Sequence, residues 1–340
     1  MTRTRTRIKL LLYPCLILFT ASCSSSTLPK IQQIRLQLGT SVSITVINEN
    51  IELAERAVEA AFAEIERIER LMSSYDEKSR ISLLNSRGSI EADPEIVNIL
   101  ERARYFHKLS AGAFDITVEP LLRLFDESFS ERSAPPSDLE IEAALQLVGF
   151  DRIEVTSDRI YLPAGMKITL GGIAKGYAVD RAVAVLKEHG IEHGLVNAGG
   201  DMRSIGSKGE NPWMIALQNP RDENDYIAIL PIDDSAVATS GDYERYFDPD
   251  KRFHHIIDPR TGYSATELMS VTIVTGTSLD ADALATVVFV SGALDGMTLV
   301  NGMDNVEALI ITSEGNIRTS EGLKYSMIRS DMIRVIEPGG

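Results

Sequence analysis

One stretch of the chain, from Ile168 to Asp201, constrains the fold more than any other. Ile168–Leu170 has the pattern of a strand end, and Gly171-Gly172 predicts a tight turn in which backbone can approach a ligand. A helical period begins at Lys175, and Gly190 has the position of a helix C-cap. A lysine at such a helix N-terminus suits phosphate, but an ordinary strand–helix junction has the same pattern. The residues alone leave both interpretations open.

The N-terminus has the organisation of a secretory signal. Four basic residues precede the apolar run Leu10–Phe19, and small residues lead to Cys23. This pattern predicts a signal peptide over residues 1–22, a lipidated Cys23 and a tether over residues 23–30. The expected location is the cell envelope, as a periplasm-facing lipoprotein of the inner or outer membrane. A plain signal peptide with an incidental cysteine remains the alternative.

The charge of the chain excludes one class of partner. The formal net charge is −15, and removal of residues 1–22 takes four positive charges and leaves −19. A protein this acidic is a poor binder of nucleic acid.

Strand and helix patterns are mixed along the chain without strict alternation. Alternating residues predict strands over 31–47 interrupted at Gly39, and amphipathic periodicity predicts a helix over Ile51–Met72. Asp93 and Pro94 predict the start of a helix that ends at Leu109. We therefore expect an α+β fold of mixed sheets with packed helices, with one domain over residues 31–330 and a tail over 331–340.

Polar residues concentrate between Arg252 and Gly262, where two adjacent histidines precede Asp258 and Arg260. Histidine can act as a base, arginine can bind phosphate, and aspartate can orient a histidine or bind a metal. Successive side chains of an extended segment point in opposite directions, so only one histidine can face a given pocket. A half-exposed polar turn is the alternative.

Asp282 and Thr286 are four residues apart in a predicted helix that begins at Ser278 or Asp280 and runs through Val290. They lie on one helix face, and a carboxylate with a hydroxyl is an oxygen pair suited to Mg²⁺. An N-terminal acid with a surface threonine explains the same pattern.

Taken together, these stretches resemble the ApbE-type FAD:protein FMN transferases, in the order that is typical of that family. The resemblance implies the ApbE-like fold, with two intimately associated lobes. The matching segments are Leu38–Thr40, Met72–Tyr75, Gly112–Asp115, Gly171–Tyr177, Asn197–Asp201, Ala238–Tyr243, His255–Gly262 and Asp282–Thr286.

The resemblance implies an enzyme that uses Mg²⁺ and FAD, transfers FMN to a threonine or serine hydroxyl of an acceptor protein, and releases AMP. It implies that His255 is the catalytic base. The positions matching FAD contacts are Leu38, Tyr75, Ala113, Phe114, Asp115, Thr169, Lys175 and Ile257; those matching the metal site are Gly172, Asp282, Ala285 and Thr286.

Two other functions use the same residues. A Mg²⁺-dependent FAD pyrophosphatase would give FMN and AMP, and a flavin-binding lipoprotein would perform no chemistry. The resemblance implies acceptor flavoproteins as partners, such as flavinylated subunits of Na⁺-translocating NADH:quinone reductase or Rnf-type complexes. The bulky aromatic Tyr75 favours the transferase, since hydrolytic relatives tend to lack it.

The lipid anchor gives a first testable prediction. The wild-type protein should incorporate radioactive palmitate in a bacterial host, and Cys23→Ser should not, because the acyl groups attach to that cysteine. The measurement is autoradiography of a denaturing gel. A soluble and unlabelled wild-type protein would show that residues 1–22 are a simple signal peptide.

Overall fold

A nine-stranded sheet forms the framework of the molecule, in the order β1-β2-β6-β7-β10-β11-β12-β13-β15. Adjacent strands in this sheet are antiparallel, except that β13 and β15 are parallel to each other. The strands of this sheet are β1 (Lys30–Gln37), β2 (Thr40–Ile47), β6 (Gly194–Ala198), β7 (Asp201–Ile205), β10 (Ala236–Gly241), β11 (Leu268–Thr275), β12 (Glu307–Thr312), β13 (Asn316–Thr319) and β15 (Arg334–Val335).

Two three-stranded sheets and seven α-helices complete the part of the chain that the structure describes. One small sheet has the order β14-β9-β8 and the other the order β3-β5-β4. Their strands are β3 (Ser89–Glu91), β4 (Glu154–Val155), β5 (Arg159–Tyr161), β8 (Trp213–Asn219), β9 (Asp222–Ile232) and β14 (Ser326–Met327). The helices are α1 (Ile51–Met72), α2 (Arg80–Arg87), α3 (Pro94–Leu109), α4 (Glu119–Arg132), α5 (Asp138–Leu145), α6 (Ala174–Glu188) and α7 (Ser278–Asn301).

This computed structural model describes residues 28–327 and the backbone of residues 334–335. The predicted signal over residues 1–22, Cys23 and most of the tether over residues 23–30 lie outside that part of the chain. So does most of the tail over residues 331–340. The mixed architecture confirms the α+β expectation.

The first predicted helix is confirmed, and its cap explains where it begins. The Asn50 side chain accepts a hydrogen bond from the Leu53 N–H, which satisfies one of the unpaired donors of the first turn. Its apolar stripe, which includes Phe62 and Ile65, is fully buried. The Asp93 cap and the end of α3 at Leu109 are also confirmed.

The predicted strand at Ile168–Leu170 is wrong. This segment forms no ladder, because its backbone groups bond elsewhere. The Asn85 amide holds the Ile168 N–H at 2.7 Å and the Ile168 carbonyl at 2.8 Å, and the Thr169 N–H donates to the Ile116 carbonyl at 2.8 Å. The Asn85 side chain takes the place of a neighbouring strand as hydrogen-bond partner. The pattern of apolar residues is the same in both cases, so it does not distinguish this segment from a strand.

Helix α7 is long and apolar enough to cross a membrane by length and composition, but most of that window is buried within the protein. It is a core helix that packs against β10 and β11. The helix begins at Ser278, one of the two predicted starts, and Thr277 is its N-cap. The helix is predicted to run through Val290, and its geometry breaks just beyond that residue, at Gly292 with φ 82° and ψ 175°. The Glu267 carboxylate accepts a hydrogen bond from the next N–H, that of Ala293, at 2.8 Å.

Helices α6 and α7 cap each other's N-termini. Asp180 of α6 accepts hydrogen bonds from the Ser278 and Leu279 N–H groups, both at 2.9 Å. Asp282 of α7 accepts one from the Gly176 N–H at 3.0 Å. The two backbones touch at Gly176, where a Cβ would lie 2.2 Å from the Ser278 carbonyl oxygen. Only glycine permits this approach.

The turn between β1 and β2 has an unusual residue. Leu38 has φ 55° and Gly39 has φ 69°, the left-handed values of a two-residue hairpin turn that favours asparagine and glycine. A leucine in this conformation costs roughly 1–2 kcal/mol. Its N–H donates to the Glu69 carboxylate at 2.9 Å, which helps to hold the turn against α1.

The α6–α7 contact predicts a stability effect. Gly176→Ala should lower the free energy of unfolding by about 1–3 kcal/mol, because the added methyl would overlap the Ser278 carbonyl. The matched control is Gly276→Ala, whose Cβ would meet nothing within 4 Å and which should change stability by less than about 0.5 kcal/mol. Urea denaturation measures both. Equal stabilities of the two variants would show that the helices can separate without cost.

Candidate active site

A cavity of about 630 Å³ opens where the β1–β2 turn, the segment after α3, the N-terminus of α6 and the segment after β10 meet. Its volume lies within the range of small-molecule sites. Helix α7 forms its floor through Asp282 and Thr286. One wall is formed by His255, Ile256, Ile257 and Pro259. Tyr75 lies at the rim with 76% of its surface exposed.

Three charged groups meet beneath the glycine turn. The Lys175 ammonium bonds to the Asp201 carboxylate and lies 4.0 Å from Asp282 Oδ1. Burial alone would lower the pKa of Lys175, but the two carboxylates outweigh it and raise that pKa. Burial and the nearby Asp201 raise the pKa of Asp282 to about 7. The cluster has one more acid than base, which favours a further cation.

The residues near Asp282 fit a small, hard cation. Thr286 Oγ1 faces the same space and lies 3.4 Å from the Ser240 hydroxyl. A Cβ on Gly172 would lie 3.2 Å from Thr286 Oγ1, so the missing side chain leaves backbone close to this oxygen. Within residues 28–327, no group of three or more His, Cys, Asp or Glu side chains could hold a metal. A Mg²⁺ ion here would therefore draw on hydroxyl and backbone oxygens, water and substrate.

His255 lines the cavity as a neutral base. Its Nδ1 lies 2.9 Å from the Arg245 carbonyl oxygen, a pure acceptor, so Nδ1 carries the proton and Nε2 carries the lone pair. Desolvation lowers the pKa of His255 to about 4. His254 points away, is buried and contacts the Ala265 carbonyl through Nε2 at 2.8 Å. The prediction that the two histidines face different surroundings is confirmed.

The loop around Asp258 does not supply the expected phosphate clamp. Asp258 and Arg260 form a two-point ion pair with each other, with both nitrogen–oxygen distances at 2.8 Å, and neither lines the cavity. The predicted roles of that arginine as an anion ligand and of Asp258 as an orienter of a histidine are therefore wrong. Their side chains satisfy each other within the turn.

Most residues predicted for the site meet in this one cavity. Ala285 is fully buried in α7 and is not part of the lining, and Cys23 lies outside the described residues. The Asp115 carboxylate accepts from Thr117 and from the Phe150 N–H, so it serves the local fold. The predicted residues in the lining are Leu38, Tyr75, Ala113, Phe114, Asp115, Thr169, Gly172, Lys175, His255, Ile257, Asp282 and Thr286.

Sequence reasoning gave no role to Asp201 or Arg245. Asp201 stood within a recognised motif, but nothing along the chain indicated that its carboxylate pairs with Lys175, 26 residues away. Arg245 lies two residues after the Ala238–Tyr243 motif, in a polar segment where no spacing distinguishes it from its neighbours.

Comparison with known proteins defines the family of this site. The ApbE family model matches residues 38–310, so the chain belongs to the ApbE family, and the cavity is the candidate for its active site. A relative from Treponema pallidum, named FAD:protein FMN transferase, is 29% identical over 95% of this chain and 94% of its own. A Klebsiella pneumoniae protein with the same name is 31% identical over 86% of this chain and 93% of its own.

Two solved structures share the fold. The ApbE protein from Thermotoga maritima has a TM-score of 0.80 and 38% identity, over 86% of this chain and 97% of that chain. The flavin transferase ApbE from Vibrio cholerae has a TM-score of 0.75 and 27% identity, over 88% of this chain and 97% of that chain. These likenesses confirm the ApbE-like fold expected from the sequence.

The low pKa of His255 predicts how stability depends on pH. An unfolded histidine binds a proton near pH 6.5, whereas the folded His255 does so near pH 4. Its contribution to the free energy of unfolding is therefore complete above pH 6.5 and is lost as the pH falls towards 4. Wild type should lose more stability over that range than His255→Gln, measured by urea denaturation. A ring that titrates near pH 6.5 in an NMR experiment would contradict this.

Proposed function

We propose that this enzyme transfers FMN from FAD to a threonine or serine hydroxyl of an acceptor protein and releases AMP. The observation that carries the proposal is the convergence of a neutral His255 and the Asp282–Thr286 pair on one cavity of about 630 Å³. The names of the relatives from Treponema pallidum and Klebsiella pneumoniae support it.

The proposed step is a displacement at phosphorus. His255 Nε2 takes the proton from the acceptor hydroxyl while the hydroxyl oxygen attacks the FMN phosphorus. The bond from that phosphorus to the bridging oxygen breaks, and AMP leaves with the electron pair. Such a transfer depends on positioning and on neutralisation of charge more than on covalent help from the protein.

The charged floor of the cavity supports a role for Mg²⁺. Asp282 and Thr286 would hold the ion through their side chains, and Gly172 and Ala285 would contribute backbone carbonyls. When bound, the ion would neutralise negative charge on the diphosphate. Lys175 would remain oriented by Asp201, and the Gly171-Gly172 turn would admit the substrate close to the backbone.

The remaining lining residues would bind the flavin dinucleotide. Tyr75 presents an exposed ring at the rim, suited to stacking on a flat heterocycle. Leu38 and Ile257 supply apolar surface, and Thr169 and the segment Ala113–Asp115 complete the wall. The aromatic at position 75 favours transfer over the pyrophosphatase alternative, because a stacked ligand would shield its own diphosphate from water.

We also propose the location and the partners that the sequence predicted. The basic start, apolar run and Cys23 support a lipoprotein that faces the periplasm. Flavinylated subunits of the Na⁺-translocating NADH:quinone reductase or of Rnf-type complexes would then be suitable acceptors.

One experiment separates transfer from hydrolysis. Purified protein is incubated with FAD and Mg²⁺, with and without a threonine-bearing acceptor domain, and covalent flavin fluorescence and AMP are measured. Wild type should label the acceptor, and His255→Ala should label it about a hundred to ten thousand times more slowly, because the general base is lost. Rapid AMP release without any labelling would favour the pyrophosphatase.

Two controls test the other roles. Asp282→Asn keeps an oxygen for the Gly176 N–H, so it should fold normally but lose AMP release, as wild type should in EDTA. Tyr75→Asn should weaken FAD binding roughly ten- to a hundredfold by loss of stacking. Full activity of wild type in EDTA would refute the metal assignment.

A further inference from the structure

Arg245 lies at the cavity rim and contacts two parts of the site at once. Its guanidinium donates a hydrogen bond to the Tyr75 hydroxyl, and its Cζ lies 5.8 Å from the centre of the Tyr75 ring. Its carbonyl oxygen accepts from His255, at 3.1 Å from the backbone nitrogen and 2.9 Å from Nδ1. The backbone of Arg245 therefore fixes the base, while its side chain reaches over the opening.

Within residues 28–327 the Arg245 guanidinium has no salt-bridge partner, although its positive charge acts at longer range on the Glu119 carboxylate. Of the two positively charged side chains that line the cavity, Lys175 is paired with Asp201, whereas no carboxylate lies within 4.0 Å of the Arg245 guanidinium. A guanidinium has five N–H donors, and in the described residues only the Tyr75 hydroxyl accepts from this one. The remaining donors can therefore bind an acceptor that enters the cavity.

We propose that Arg245 is a substrate-binding residue whose guanidinium binds a phosphate oxygen of the flavin dinucleotide. The inference rests on the proposed function, because it takes a flavin dinucleotide as the ligand. An arginine fork matches the geometry of phosphate oxygens, and a charge-assisted hydrogen bond is stronger than a neutral one. Because the same side chain touches Tyr75, one residue connects the aromatic that stacks on the ligand with the group that binds its charge.

The test compares three ligands in the absence of turnover. Binding of FAD, ADP and riboflavin is measured by calorimetry with Mg²⁺ for wild type, Arg245→Gln and Arg245→Lys. Arg245→Gln should lower the affinity for FAD and for ADP about ten- to a hundredfold, which corresponds to the loss of one charge-assisted hydrogen bond. It should leave riboflavin unchanged, because riboflavin has no phosphate. Arg245→Lys should lose less affinity for FAD and ADP than Arg245→Gln, since lysine keeps the positive charge.

A matched control tests whether loss of any arginine charge on this part of the surface has the same effect. Arg252→Gln removes the same charge from a side chain that is 71% exposed and outside the cavity, so it should bind all three ligands like wild type. Melting temperatures close to that of wild type would show that each variant folds.

Three results would overturn the inference. One is an unchanged affinity of Arg245→Gln for ADP, and another is an equal loss for riboflavin and ADP, which would make Arg245 a positioning residue for Tyr75. The third is a wild-type protein that binds riboflavin but not ADP. Because these are binding measurements, they are independent of whether FMN transfer itself is observed.

Discussion

The reciprocal capping of α6 and α7 is the interaction on which the rest of the site depends. Each helix begins with unpaired N–H groups, and each receives an aspartate from the other, Asp180 in one direction and Asp282 in the other. The approach is possible because Gly176 has no side chain. Asp282 thereby fixes the start of α6, and that same turn of α6 carries Lys175 towards the cavity.

This arrangement gives the floor of the cavity its electrostatic character. A buried carboxylate usually has one cation as a partner, but here Asp201 and Asp282 share Lys175. The resulting excess of negative charge is costly in a dry environment and raises the pKa of Asp282. The protein maintains it because the helix cap and the sheet hold the two aspartates in place. A preorganised site of this kind attracts a cation without rearrangement.

Much of the fold could be predicted from local patterns, and the reasons are visible in the structure. The boundaries of α1 follow from the Asn50 cap and a continuous apolar stripe, which are both properties of neighbouring residues. The segment Ile168–Leu170 was misassigned because its partner is the side chain of Asn85, distant in sequence.

The same distinction applies to the site. Motifs indicated which residues gather in the cavity, but they could not show that Arg260 is neutralised by Asp258 while Arg245 has no acidic partner within the described residues. Charge pairing is decided by tertiary contacts, and a single sequence does not contain them in readable form.

The hairpin turn at Leu38 has a consequence for any attempt to make the enzyme heat-resistant. Selection for thermal tolerance favours asparagine or glycine where the backbone is left-handed, since such exchanges relieve strain at little structural cost. At this position the leucine also lines the candidate active-site cavity. A library screened only for survival at high temperature would therefore enrich variants in which Leu38 is replaced. These variants would have an unstrained turn but a lower affinity for the ligand. Two separate screens, one for each property, would be needed to keep both.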